Sequence, residues 1–132
     1  MGQVVSRAKD WLKQAQRDLA HARRAQEIGH FDWACFAAHQ AAEKAVKALY
    51  QSAGGDARGH SVWGLLDQLP APLRPPDDLV EAGRRLDRHY IPTRYPHAFP
   101  GGAPCERYAA PEAEEAIRDA ERIVAFCTGH LA

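Results

Sequence analysis

Apolar side chains at Ala8, Trp11, Leu12, Ala15, Leu19, Ala22, Ala25 and Ile28 recur at intervals of three and four, with charged and amide residues between them. That period predicts an amphipathic helix from Ser6 to about Ile28, closed by Gly29. A second helix is expected from Phe31 to Ala53, where Gly54-Gly55 stops it. Its segment "ACFAAHQAAEKAVKAL" is rich in alanine, and small residues let a neighbouring helix approach closely. Two long helices joined by so short a link should lie antiparallel as an αα-hairpin.

Beyond the loop "GGDARGH", Ser61 is placed to cap a short helix "VWGLLDQL" that Pro70 closes. The run "PAPLRPPDD" reads as a rigid connector, with Asp77 or Asp78 capping the next helix. That helix carries Leu79, Gly83, Leu86 and Tyr90 on one face and is expected to end before Pro92. After a loop rich in proline and glycine, Pro111 opens a last helix whose first turn holds Glu112, Glu114 and Glu115, where the helix dipole favours negative charge. Its expected buried stripe is Ala113, Ala116, Ile117, Ala120, Ile123, Val124 and Cys127. No stretch alternates with period two for long enough to be a strand. The pattern predicts an all-α protein, an up-and-down antiparallel helical bundle of four to five helices, with residues 1–132 as a single domain.

Charge narrows the functional classes. Lys plus Arg and Asp plus Glu both number 17, so no global field draws the chain to a polyanion, and any such binding must come from local clustering. Cys35, Cys105 and Cys127 are odd in number and lack CxxC spacing, against a disulfide framework or a zinc knuckle. Reduced thiols in a cytoplasmic protein fit best. The start "MGQVVSRAKDWL" has no long apolar run, so neither signal peptide nor membrane span is expected. Gly2 with Ser6 matches a myristoylation pattern only by chance.

The local cluster is "RRLDRHYIPTRYPHAF", Arg84 to Phe99, which packs six basic or imidazole side chains and two tyrosines around prolines. Pro92 and Pro96 restrict the backbone on either side of Thr93-Arg94-Tyr95, lowering the entropy lost on ordering it. Two readings stand side by side. Arg94 can grip a phosphate while Tyr95 stacks a base, or Tyr95 plugs the core end while Arg94 bonds the last helix carbonyls. Arg88 and Lys44 are further candidate contacts to a nucleotide or RNA. In "HQAAEKAVK", His39 and Glu43 lie four apart but lack a third ligand, so no metal site is expected, and Glu43 with Lys47 is an ordinary helix pair. His60 reads as a helix-entry hydrogen-bonding residue. No glycine loop of the phosphate-cradling kinds occurs, and no cofactor is expected.

The segments "RDLAHA" (17–22), "CFAAHQAAEKAVKAL" (35–49), "GHSVWGLL" (59–66), "LDRHYIPTRYP" (86–96) and "EAEEAIRDAERIVAF" (112–126) together resemble the HEPN domain family, named for higher-eukaryote and prokaryote nucleotide-binding proteins. "HYIPTRYP" beside "QAAEKAVKAL" is the specific part. The resemblance implies a helical bundle that often forms a homodimer, is frequently encoded beside a minimal nucleotidyltransferase, and in many members acts as a toxin or RNA-cutting effector. It also implies a metal-independent catalytic motif, Arg then His after four to six residues, which Arg84 and His89 satisfy with four between.

As chemistry the motif makes sense. His exchanges protons near neutral pH, and Arg supplies a permanent forked cation for a developing phosphorane. On a regular helix, however, Arg84 and His89 lie about 140° apart, whereas Arg85 shares the face of His89. Arg84 is therefore the motif residue and Arg85 its geometric rival. Three functions are open at this point: an endoribonuclease, a non-catalytic nucleotide-binding module, and a dimeric adaptor whose basic edge docks an acidic protein.

Overall fold

The computed structural model describes residues 6–55 and 57–131, so Gly2 and its chance motif lie outside the described residues. The described chain is all helix, turn and loop: α1 (Ala8–Glu27), α2 (Phe31–Ser52), α3 (Val62–Asp67), α4 (Asp77–Asp87), α5 (Pro104–Arg107) and α6 (Ala110–Leu131). Single 3₁₀ turns at Ala71–Leu73 and Pro96–Ala98 punctuate the connectors. Helix α2 is the central element, packed between α1 and α6, while the shorter α3 and α4 close one side.

The α1–α2 hairpin turns at Gly29, whose φ of +80° is the left-handed conformation that glycine adopts without strain. The amide of His30 reaches back to the Ala25 carbonyl at 2.8 Å. Along α2, Ala34, Ala38, Ala41, Ala42, Ala45 and Ala48 have no exposed surface. The small-residue face is thus consumed inside the protomer. The α6 stripe is buried as expected, with Asp119 added to it. In α1, Ala8, Ala15, Leu19, Ala22 and Ala25 are buried, Trp11 and Leu12 are half-buried, and Ile28 is 53% exposed beyond the helix end.

Two boundaries differ from expectation. Helix α4 begins at Asp77 with Pro76 in the cap position, so both aspartates sit in the first turn, and Asp78 pairs with Arg122 on α6 at 2.5 Å. More consequentially, α4 stops at Asp87. The amides of Arg88, His89 and Tyr90 bond three residues back, to Arg85, Leu86 and Asp87, so the chain tightens into turns well before Pro92. The hydroxyl of buried Thr93 then donates to the His89 carbonyl at 2.7 Å.

Helix α3 sits on α4 through Gly83, where an added Cβ would lie 3.0 Å from Leu66 Cδ1 and 3.1 Å from the Trp63 amide nitrogen. Asp87 locks that contact. Its carboxylate accepts from the Val62 amide (2.8 Å), the Trp63 amide (3.1 Å) and the Ser61 hydroxyl (2.9 Å), while Ser61 in turn caps α3 by accepting from Gly64. Among the described residues no helix is long and apolar enough to cross a membrane.

Candidate functional site

The turn that ends α4 gathers the cluster's chemistry. Arg94 donates from Nε and Nη2 to the Tyr90 carbonyl at 3.0 and 2.7 Å. Its guanidinium carbon lies 4.3 Å from the Phe36 ring centre, 4.9 Å from that of Tyr90 and 5.1 Å from that of Tyr95. The cation therefore both holds the Tyr90 carbonyl in the turn and sits in the middle of an aromatic cluster. Its Nη1 has no acceptor among the described residues. Tyr95 is 43% exposed, and Ile91 and Trp33 beside this region are 40% and 49% exposed.

Behind Tyr90 lies an imidazole–carboxylate network. His60 stacks on the Tyr90 ring at 4.8 Å with a 17° interplanar angle, and its Nδ1 is 3.1 Å from Glu43 Oε1. Glu43 is only 4% exposed, and its second oxygen accepts from Lys47 at 3.1 Å. His39 is wholly buried, with Nε2 3.1 Å from Asp87 Oδ1 and its ring 5.1 Å from that of Tyr90. Burial pushes the Asp87 carboxyl up, but the bonds from His39, Val62, Ser61 and Trp63 outweigh it and hold the group below the usual carboxylate range. His60, Ser61, Asp87 and Tyr90 line a shallow cleft of about 210 Å³.

The motif residues separate. Arg84 pairs with Glu81 at 3.2 Å and lies over the Trp63 ring at 4.6 Å. Arg85 turns to α6, where both oxygens of nearly buried Asp119 take its Nε and Nη2 at 2.9 Å. His89, carried out of the helix by the early stop, packs edge-on against Tyr108, with Nδ1 3.5 Å from the phenol oxygen. Burial, with the His39 and Arg88 charges adding to it, lowers the His89 imidazole to about 4 against the pull of Glu112 and Asp119. It is neutral at physiological pH. Arg88 is exposed and makes no ion pair among the described residues. Lys44 is engaged by Asp18 across α1 and α2 at 2.6 Å, in a groove that it shares with Phe36 and Trp33.

So the structure brings Arg94, Tyr90 and Tyr95 together and does not bring Arg84 to His89. Glu43 with His60, and His39 with Asp87, form two pairs that meet at the Tyr90 ring, and beyond the four-residue spacing of His39 and Glu43 nothing in their spacing announces them. The other signal was a carboxylate at position 43 among the apolar positions of α2. The thiols stand apart from this chemistry: burial raises Cys35 and Cys127 to about 12, and all three cysteines are free. Among the described residues no group of three or more ligating side chains could hold a metal ion.

An alanine-seamed helical bundle whose fourth helix breaks into a cation-bearing, doubly proline-flanked turn defines the class. The HEPN domain family model matches residues 8–130, and the chain belongs to that family. Solved structures of similar chains share the fold. The crystal structure of TT1696 from Thermus thermophilus is 49% identical, superposes with a TM-score of 0.92, and is matched over 95% of this chain and 98% of that one. The crystal structure of ST0689, described as an archaeal HEPN homologue, is 42% identical with a TM-score of 0.82 over 97% of this chain and 100% of that one. The protein named Putative toxin MJ1304 from Methanocaldococcus jannaschii is 29% identical over 129 residues, 91% of this chain and 85% of its own length.

Proposed function

We propose that this chain is the toxin-type member of a two-component pair, that it engages nucleotide or RNA through the turn after α4, and that its partner is a minimal nucleotidyltransferase. The observation that carries the ligand class is the Arg94 cluster. A guanidinium pre-positioned among Phe36, Tyr90 and Tyr95, with Nη1 still open, offers a phosphate contact beside an exposed ring on which a base can stack. The toxin role is supported by the name of the Methanocaldococcus relative. Free thiols agree with a cytoplasmic setting.

The test is fluorescence anisotropy with a labelled single-stranded RNA and with ATP. Tyr95 is half out in solvent, so Tyr95→Ala should leave the fold intact and weaken binding by roughly 1–3 kcal/mol for a lost stacked base. Arg94→Ala should weaken it by about 1.5–3 kcal/mol, with the bonds to the Tyr90 carbonyl lost as well. Affinity unchanged in Tyr95→Ala, or no binding by the wild type, removes this reading.

Endonucleolytic cleavage by His89 with Arg84, or with Arg85, is a second reading, favoured by the motif spacing of Arg84 and His89, with four residues between them. Because Arg84 and His89 face different neighbours within one protomer, this reading requires a homodimer whose second copy brings the missing cation. Loss of cleavage in His89→Ala with helicity retained, in the presence of EDTA, is its expected outcome.

A further inference from the structure

The pair formed by Glu43 and His60 has a geometry that neither reading uses. A nearly buried carboxylate on α2 costs stability unless it is paired, and Lys47 already neutralises it at 3.1 Å. The second carboxylate oxygen is nevertheless aimed at a histidine in the loop before α3, 3.1 Å away. A carboxylate oxygen accepts, so the proton of this hydrogen bond sits on Nδ1, and in that tautomer Nε2 presents its lone pair. Stacking on Tyr90 at 4.8 Å fixes the ring plane. The His60 side chain is 55% exposed, and Nε2 has no partner among the described residues. It borders the cleft with Ser61, Asp87 and Tyr90, and Asp87 is already committed to four donors. This is a base oriented by a carboxylate at an accessible edge, the relation that positions a general base.

The Tyr90 ring on which His60 stacks also has the Arg94 guanidinium at 4.9 Å, so the histidine and the cation flank one ring. We infer that Glu43 and His60 form a proton-transfer pair acting on RNA held at this edge, with His60 the catalytic residue and Glu43 a positioning residue. The inference rests on the RNA-engagement reading. In the step, His60 Nε2 takes the proton of a ribose 2′-OH, the 2′ oxygen bonds to phosphorus, and the bond from phosphorus to the 5′ oxygen breaks. Water protonates the departing 5′ oxygen, and the imidazolium returns its proton to the resulting hydroxide. The products are a 2′,3′-cyclic phosphate and a 5′-hydroxyl. His89 is less suited to the task, because a base that titrates near 4 is a weak proton acceptor at neutral pH.

The experiment uses the full chain and a labelled single-stranded RNA, with anisotropy for binding and gel separation for cleavage. His60→Ala should retain wild-type affinity and lose cleavage by about 10²–10⁴-fold, and added imidazole should restore part of it. Glu43→Gln should lower kcat and leave KM in place. If His60→Ala does not keep its melting temperature, His60→Gln, which can still reach Glu43, replaces it. Cleavage that survives in the folded His60 variant overturns the inference. So does a wild type that binds RNA and leaves it whole, and that outcome keeps the engagement reading. A wild type that binds no RNA ends both.

Discussion

Arg85 reaches from α4 to a carboxylate on α6 that is 4% exposed, and both arms of its fork meet Asp119 at 2.9 Å. Removing the cation leaves that carboxylate buried and unpaired. Arg85→Ala should therefore cost about 3 kcal/mol in urea unfolding, and Arg85→Leu combined with Asp119→Leu should cost less than Arg85→Ala alone. The neighbouring His89 makes stability depend on pH. Unfolded, it protonates near 6.5, whereas the folded chain resists down to about 4. Between those values the unfolded state binds more protons, so stability is full above pH 6.5 and falls as pH drops through the window, by on the order of 3 kcal/mol at its lower end. Melting temperatures at pH 7.5 and 5 should show a drop that His89→Phe reduces. Little of this was legible in the sequence. Arg85 and Asp119 are 34 positions apart, a pairing that only the packing of α4 on α6 creates. Neither reading open at Arg94 named its actual partner, the Tyr90 carbonyl in the turn beyond the helix, held within a cluster of rings.

Helices α1, α2 and α6 were legible because each repeats an apolar stripe over five or six turns and ends at a glycine or begins near a proline. The end of α4 was not. Its periodic face ran on through Tyr90, and only the turn bonds after Asp87, with Thr93 and Arg94 bonding back to His89 and Tyr90, show that the chain leaves the helix sooner. That early stop carries His89 against Tyr108 and sets Tyr90 beneath His60. Gly83 tests the contact that supports it. Alanine is the better helix former by roughly 1 kcal/mol, so Gly83→Ala would stabilise an isolated α4. Here its Cβ would meet the Trp63 amide nitrogen at 3.1 Å, and backbone does not yield as a side chain does. Differential scanning calorimetry should show a lower melting temperature, and hydrogen exchange should show faster opening of Val62 to Asp67. A rise in melting temperature would mean that α3 is not seated on α4 as described.

Across the whole molecule, the exposed large apolar residues Ile28, Trp33, Ile91 and Tyr95 lie apart from the buried alanine face of α2, so any second copy must meet a surface other than that face. The cleavage reading with His89 and Arg84 expects a dimer by light scattering, and a monomer at high concentration contradicts it. The proposed engagement of nucleotide or RNA does not depend on that result. It rests on the turn after α4, where Arg94 lies among the rings of Phe36, Tyr90 and Tyr95 in a chain whose formal net charge is zero. Titration of single-stranded RNA into ¹⁵N-labelled protein, followed residue by residue, locates the binding surface. The expected result is amide and side-chain shifts confined to Phe36, His60 and the segment from Tyr90 to Tyr95, losing strength as salt rises. Shifts centred elsewhere on the bundle, or none at all, would contradict the proposed engagement.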